Sequence, residues 1–387
     1  MKKCYYIGYY SDPSSESKRK TAPAADTKMD YIISSLRKIG YDVEVLSFCV
    51  DDDRKSVFEK KSGYEIEKKG TRVIFFTNYT SKFRFLRVIG RLFSWIKIRK
   101  YLCKHCMGNE SKILIYHSLG LLKVIGLFDK KKKGFILEME EIYADVIGKT
   151  NLRKKEIAAA RRANQYIFPT VMLNAEVNIE NKPFLIIYGT YQVENDRHCS
   201  FDDDKIHVVY AGTFDPRKGG AAAAAAAAGF LPANYHVHIL GFGSKTDIDH
   251  IQQTVGEVSA KSAATVTYDG CLSGEEYIQF IQSCDIGLST QNPDAAFNDT
   301  SFPSKILSYM ANGLHVVSIR IPAIERSAIG SLVTYYDTQT PENIAKTIMS
   351  VDLQIPYDSR VRITQLDAEL QVKLEKLIEG YECEHSS

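Results

Sequence analysis

Lys218 and Lys305 are the residues whose surroundings suggest chemistry most directly. Lys218 lies in Ala211-Gly212-Thr213-Phe214-Asp215-Pro216-Arg217-Lys218-Gly219-Gly220, a glycine-rich turn between a β-branched run and a polyalanine tract. Such a turn at the start of a helix offers unpaired N–H groups and the positive end of the helix dipole to an anion. Lys218 adds a point charge where a diphosphate would sit. The turn is neither a Walker loop nor a GxGxxG fingerprint, and by itself it reads equally well as a tight turn with a solvated Arg217–Lys218 pair. Lys305 lies in Asn298-Asp299-Thr300-Ser301-Phe302-Pro303-Ser304-Lys305-Ile306-Leu307-Ser308-Tyr309-Met310-Ala311-Asn312-Gly313. Thr300, Ser301 and Ser304 can offer hydroxyls and N–H groups to phosphate or ribose. Lys305 and Ser308 share a helix face, and Ile306, Leu307 and Met310 form the opposite, buried one. Pro303 is placed to open this helix, with Asp299 or Ser301 as its cap; a capped amphipathic helix with no ligand is the alternative reading.

The chain of 387 residues exceeds what one core usually organises, so two domains are expected. Apolar residues make up 44% and charged residues 25%, and the net charge of +3 implies no nucleic-acid partner. No apolar run is long enough to span a bilayer, and the N-terminus is too polar and tyrosine-rich for a signal peptide. The cysteines are scattered, as in a reducing compartment, so a cytoplasmic protein is expected. Cys103-Lys104-His105-Cys106 is a single CxxC and lacks the second half of a zinc site.

Strand and helix patterns alternate along both halves. Lys3–Tyr10, Val43–Phe48, Arg72–Phe76, Ile113–Tyr116, Phe135–Met139 and Tyr166–Phe168 read as strands, and Asp26–Ile39 as a helix stopped by Gly40. In the second half His207–Tyr210, His236–Leu240, Thr265–Tyr268, Ile286–Ser289, His315–Ile319 and Leu332–Tyr336 read as strands. Ala221–Ala228 reads as a packed helix, because alanine loses least on entering one. Ser273-Gly274-Glu275-Glu276 reads as a capping box. The expected fold is α/β: two Rossmann-like doubly wound domains facing a cleft. The N-terminal domain spans 1–188, a linker 189–205, the C-terminal domain 206–357, and a closing helix 358–387 packs back toward the N-terminal domain.

FPSKILSYMANG followed by HVVS resembles the donor-site signature of group 1 glycosyltransferases of GT-B fold, and AGTFDPRKGG resembles the same family's diphosphate loop. Gly241-Phe242-Gly243 and Tyr268-Asp269-Gly270 fall where that family has turns near the nucleotide. The resemblance covers about 206–349 closely. It implies a retaining, metal-independent transferase of the bacterial polysaccharide type, with a nucleoside-diphosphate sugar as donor substrate, no cofactor, and a glycan or lipid-linked glycan acceptor. Gly212, Thr213, Arg217 and Lys218 would hold the diphosphate; Ser301, Phe302 and Ser304 would support the phosphates, with Lys305 and Ser308 nearby; Gly243, Cys271 and Leu272 would border the nucleotide. The family's N-terminal histidine maps on His117, at the end of KILIYH, whose other reading is a satisfied strand-end histidine. Glu140 and Glu141, after FILEME, are candidates for acceptor contact or proton removal.

The sequence also departs from the family. Its two glutamates seven residues apart are Thr300 and Ser308 here, with Asp299 placed to substitute for the first, and its arginine after the loop glycine is Thr213, with Arg217 as replacement. An inactive nucleotide-sugar-binding partner subunit and a sugar-nucleotide epimerase are therefore rival functions. The triple-aspartate runs 51–53 and 202–204 read as solvated rather than metal-binding. Lys82–Lys104 (KFRFLRVIGRLFSWIKIRKYLCK) is basic, aromatic and free of acids. It reads either as a helix lying on an anionic membrane, which would suit a lipid-linked acceptor, or as a helix packed on the N-terminal sheet.

Overall fold

A computed structural model of the chain describes residues 2–12, 19, 23–51, 55–215, 220–292, 295, 298 and 300–380. The strands are β1 (Lys2–Gly8), β2 (Tyr41–Ser47), β3 (Glu59–Lys61), β4 (Tyr64–Lys68), β5 (Thr71–Phe75), β6 (Asn78–Thr80), β7 (Lys112–Tyr116), β8 (Ile136–Glu138), β9 (Gln165–Phe168), β10 (Phe184–Ile186), β11 (Ile206–Thr213), β12 (Tyr235–Phe242), β13 (Thr265–Gly270), β14 (Ile286–Ser289), β15 (His315–Ile319) and β16 (Val333–Tyr336). The helices are α1 (Pro23–Lys38), α2 (Arg84–His105), α3 (Leu122–Lys130), α4 (Tyr143–Val146), α5 (Thr150–Ala160), α6 (Val171–Val177), α7 (Ala221–Ala227), α8 (Lys245–Ser259), α9 (Gly274–Gln282), α10 (Lys305–Ala311), α11 (Pro322–Glu325), α12 (Pro341–Met349) and α13 (Ser359–Glu379).

The chain divides into two compact units, residues 2–187 with 370–380, and residues 188–369. The first contains a sheet in the order β10-β9-β8-β7-β1-β2-β5-β4, parallel except for β4, which runs antiparallel to β5. The second contains a wholly parallel sheet in the order β13-β12-β11-β14-β15-β16. Read from its outer strand, that order is 3-2-1-4-5-6, the Rossmann arrangement, which reverses direction between β11 and β14. The first sheet has the same reversal between β1 and β7. Near-continuous apolar runs such as Ile113-Leu114-Ile115 and Val208-Val209-Tyr210 are buried on both faces of these sheets, as parallel strands require.

Several expectations differ from what is observed. Four strands, β3, β4, β6 and β10, fall outside the strand segments expected from the sequence; β3 and β4 are highly charged and β3, β6 and β10 are only three residues long. The segment 188–205 has no helix or strand and clusters with the second unit rather than standing free as a linker. The Glu194 amide donates to the Ala311 carbonyl at 3.2 Å, Arg360 pairs with Asp196 at 3.0 Å, and Phe201 stacks on His207. Ser273 makes no side-chain cap, because Gly274 opens α9 at φ +58° and carries the first helical amides off the serine hydroxyl. The reciprocal capping box forms instead on α8, between Ser244 and Asp247. α10 starts at Lys305 rather than Pro303. The Ile306 amide bonds back to Pro303 and that of Leu307 to Ser304, so Pro303 and Ser304 build a tight i→i+3 turn, and Ser304 rather than Ser301 sits at the cap position.

The end of α13 is held on the first unit's sheet. Lys112 donates to the Ile378 carbonyl and Gln165 to that of Leu377, each at 2.6 Å, and Glu379 accepts from Tyr41 and pairs with Lys2. Those two donors hold the Glu379 carboxyl below its usual range.

Candidate functional site

The carboxyl ends of β11, β12 and β13 frame a cleft of about 190 Å³ lined by Ala211, Gly212, Leu240, Gly241, Phe242, Cys271, Leu272 and Tyr277. It lies where ligands of doubly wound sheets bind. Backbone approach defines its floor. Gly241 adopts φ +152°, and a Cβ there would come within 1.8 Å of the Gly212 carbonyl oxygen. Only glycine lets β11 and β12 close this tightly at their ends. Gly220, at the cap position of α7, is similarly pressed: a Cβ would fall 2.6 Å from Thr290, whose hydroxyl donates to the Gly220 carbonyl at 2.8 Å. The strand end after β14 thereby fixes where the polyalanine helix begins.

Lys305 reaches this floor from the first turn of α10. Its half-buried ammonium sits 4.0 Å from the centroid of the Tyr210 ring, over its face, and a Cβ on Gly212 would stand 3.1 Å from it. A cation on an aromatic face keeps part of its charge uncommitted to any anion, and this cation borders the bare backbone of Gly212. Ser308, one turn on, is 3.3 Å from the Tyr277 hydroxyl, and Tyr277 lines the cleft. The buried Tyr309 hydroxyl accepts from the Ala211 amide at 2.8 Å and so ties α10 to the end of β11.

Of the residues expected to bind the donor, the structure gathers Gly212, Cys271 and Leu272 around the cleft, with Lys305 and Ser308 beside it. Thr213 ends β11, and its hydroxyl accepts from the Asp215 amide. Gly243 is exposed at the start of α8, where a side chain would strike Asp247 and Phe214. Ser304 is exposed before α10 and Ser301 is half-buried. Phe302 is buried against Tyr188, ring centroids 5.1 Å apart, so its side chain serves packing and only its backbone is left for a ligand. Arg217, Lys218 and Asp299 lie outside the described residues.

His117 and Glu141 belong to the first unit, just past the carboxyl ends of β7 and β8. His117 is 1% exposed, and its Nε2 lies 2.7 Å from Glu156. Glu156 is itself fully buried and accepts the Tyr143 and Ala144 amides at 2.8 and 2.9 Å. A carboxylate taking two amide donors accepts the imidazole proton as well, which assigns the proton to Nε2 and leaves a lone pair on Nδ1. That Nδ1 is buried and makes no hydrogen bond within the protein. The ring is anchored on one side, as a strand-end histidine would be, and its other nitrogen is buried without a hydrogen bond. Glu156 was not singled out from the sequence, where it is one charge among several in TNLRKKEIAAA.

Further polar groups crowd the same strand ends. Glu138 is fully buried and accepts from the Tyr6 hydroxyl, and burial raises its carboxyl to about 8. Lys28 pairs with half-buried Glu140 at 3.4 Å and donates to the Ile187 carbonyl at 3.0 Å. Burial, then the charges of Glu140, Tyr143, Glu138 and Glu141, pushes the Tyr116 hydroxyl far above its ordinary range. Buried polar groups of this density at strand ends are a usual mark of a functional site. In contrast, burial pushes the Cys106 thiol up to about 12, so that this half of the CxxC is no reactive thiolate.

Solved structures with the same architecture cover nearly all of the chain. A sucrose-phosphate synthase from Thermosynechococcus elongatus superposes with a TM-score of 0.68 at 14% identity, over 98% of this chain and 99% of its own. A trehalose-6-phosphate structure from E. coli bound with UDP-2-fluoro glucose gives 0.66 at 10% identity, over 98% of both chains. An α,α-trehalose-phosphate synthase (UDP-forming) from Burkholderia xenovorans in complex with glucose-6-phosphate gives 0.64 at 10% identity, over 98% of both chains. The fold is GT-B. No family model and no curated protein matches the sequence. At 10–14% identity the likeness carries the architecture, and the chemistry has to be argued from the residues above.

Proposed function

We propose that this GT-B chain is a retaining glycosyltransferase that moves a hexose-type sugar from a nucleoside diphosphate to a glycan, carried on a lipid, in surface polysaccharide synthesis. The observation that carries the transferase reading is the cleft at the ends of β11–β13, floored by bare glycine backbone and bordered by the Lys305 ammonium. As the sugar leaves, negative charge grows on the nucleoside diphosphate. A pre-placed cation in a partly dry site stabilises that charge more in the transition state than in the ground state. Lys305 does this without a metal, with Lys218 and Arg217 assigned to the same task. Ser308 and the loop at Cys271–Leu272 hold the nucleoside, and Asp299 contacts the transferred sugar. His117 and Glu141 are the acceptor-side groups, with the buried, unbonded Nδ1 of His117 as hydrogen-bond acceptor. The matched structures include one bound with a UDP-sugar analogue and one in complex with a sugar phosphate. The first favours a nucleotide-sugar donor here; the second makes a sugar phosphate the rival acceptor.

A donor panel tests the reading. One of UDP-, GDP- or dTDP-hexose should raise the melting temperature, since a ligand bound only by the folded state stabilises it. The same nucleotide sugar should then lose its sugar to an added glycan acceptor. No shift with any of them would remove the donor assignment. Binding without transfer would favour the inactive partner subunit, and sugar interconversion without acceptor the epimerase.

Support for the lipid-linked acceptor comes from α2. Gly90, Ile98 and Leu102 are its buried positions, while Phe85, Val88, Leu92, Phe93 and Ile96 are exposed, Phe85 to 73%. Apolar side chains this exposed, interleaved with Arg84, Arg87, Arg91, Lys97, Arg99 and Lys100 and no acid, suit insertion at an anionic surface. No helix among the described residues is long and apolar enough to cross a membrane. The chain should co-sediment with vesicles containing anionic phospholipid at low salt, and Phe85→Asp with Phe93→Asp should lower the bound fraction severalfold. Equal sedimentation of both proteins would refute this contact.

A further inference from the structure

Far from the cleft, the amino ends of β11 and β12 bring three histidines together on one face of the second sheet. His207 stands opposite His236 in the parallel register, and His236 and His238, two residues apart, project to the same side. One ring nitrogen from each lies within 4.8 Å of the other two. His207 and His238 are nearly fully buried, and Phe201 stacks over both at 4.1 and 4.9 Å. Phe280 closes the edge of His238 at 5.1 Å.

The hydrogen bonds of the inner pair are the telling feature. Nδ1 of His207 and Nε2 of His238 face each other at 2.9 Å. The opposite nitrogen of each ring is held by a carboxylate: His207 Nε2 by Asp203 at 2.7 Å, and His238 Nδ1 by Asp269 at 3.2 Å. A carboxylate only accepts, so both outer nitrogens carry the protons and the two facing nitrogens present lone pairs to each other. Two buried lone pairs at 2.9 Å repel unless a positive charge lies between them. Either a shared proton or a metal ion can supply that charge. A metal ion there also draws on the converging ring of His236, one nitrogen of which lies within 4.8 Å of the pair and whose Nε2 is 3.0 Å from the Thr267 hydroxyl.

We propose that His207, His236 and His238 bind one divalent first-row transition-metal ion of the zinc class, with Asp203 and Asp269 as the outer carboxylates. An all-imidazole set suits such ions rather than magnesium or calcium. Carboxylates on the far nitrogens are what metal-bound histidines generally show, because they fix ring orientation and raise ligand basicity. In a tetrahedral site with bonds of 2.0–2.1 Å, ligand nitrogens lie about 3.3 Å apart, so the inner pair needs to open only by about 0.4 Å. His236 is the half-buried member of the three and marks the open side, where a water completes the shell. Asp202 and Asp204 are exposed, as expected of a solvated run, whereas Asp203 is also tied to His207, because Phe201 anchors this loop on the histidine rings. His207 and Ala211 are four residues apart, about 13 Å along the strand, so the ion sits below the donor cleft and acts on folding of the second unit and its 188–205 segment, not on sugar transfer.

The test uses the full-length chain, stripped with chelator, dialysed against Zn²⁺ or Co²⁺ and assayed by mass spectrometry for bound metal. One equivalent of zinc is expected, with a raised melting temperature. The cobalt form should show tetrahedral visible bands without thiolate charge transfer. His238→Gln should lose the bound metal. Asp203→Asn, a change at a partly exposed position, should weaken zinc affinity by about 10–100-fold, and it decides the matter if His238→Gln does not fold. No retained metal, thiolate bands in the cobalt spectrum, or unchanged zinc affinity in Asp203→Asn would each overturn the proposal; the first would mean a proton-bridged imidazole pair only.

Discussion

Lys305→Ala should lower kcat/KM for sugar transfer by about 10²–10³-fold, the usual cost of removing one pre-placed group that stabilises transition-state charge. The argument is local. The ammonium lies on the Tyr210 ring and beside Gly212, and neither removes its charge. The side chain is half-buried on a helix whose packing rests on Ile306, Leu307, Tyr309 and Met310, all buried, so the fold should survive its loss. Steady-state kinetics with the nucleotide sugar that stabilises the protein, beside circular dichroism and melting curves, provide the check. Most of the loss should appear in kcat, since charge on the departing diphosphate grows only as the bond breaks. Lys305→Arg should recover part of it. An alanine variant within twofold of the natural chain would mean that Lys305 only packs on Tyr210.

Glu156→Ala should destabilise the first unit by about 3–5 kcal/mol, the range for removing one partner from a buried charged network. Three donors lose their acceptor at once: the His117 ring at 2.7 Å and the Tyr143 and Ala144 amides at 2.8 and 2.9 Å. The His117 and Ala144 donors are buried, so water does not readily replace the carboxylate there. Denaturant melts followed by tyrosine fluorescence measure the loss. Glu156→Gln keeps the volume and should cost distinctly less in stability. It should still impair transfer, because its amide can donate to His117 Nε2 and so shift the ring proton to Nδ1, removing the lone pair assigned to the acceptor. Equal stability of the alanine variant and the natural chain would contradict the network; full activity of the glutamine variant would remove His117 from the acceptor side.

The two Rossmann-like units were readable from local pattern. β-Branched runs such as Lys112-Ile113-Leu114-Ile115-Tyr116 and His315-Val316-Val317-Ser318-Ile319 carry their own strand propensity, and periodic apolar residues or alanine mark the helices between them. The loop before the polyalanine helix and FPSKILSYMANG were each legible as one strand-turn-helix unit, whereas the close approach of Lys305 to Gly212 came from the fold. Where a single side chain decided the outcome, local pattern misled. Ser244 and Ser273 both precede an acid three residues on, yet only Ser244 caps, because Gly274 turns left-handed. β3 and β4 are too charged to read as strands, and they exist because β6 and β5 supply their hydrogen bonds.

The buried polar chemistry came only with tertiary structure. Glu138 meets Tyr6 across 132 residues, and Glu156 meets His117 across 39. The HVH of His236–His238 places two imidazoles on one strand face, but His207 joins them through sheet register alone. Propensity acts over a few neighbouring residues, whereas desolvation, charge pairing and proton placement depend on which distant groups the fold brings within 3 Å. The elements and their order were therefore local properties of this chain, and the environments of Glu138, His117 and the three histidines were decided when its sheets closed.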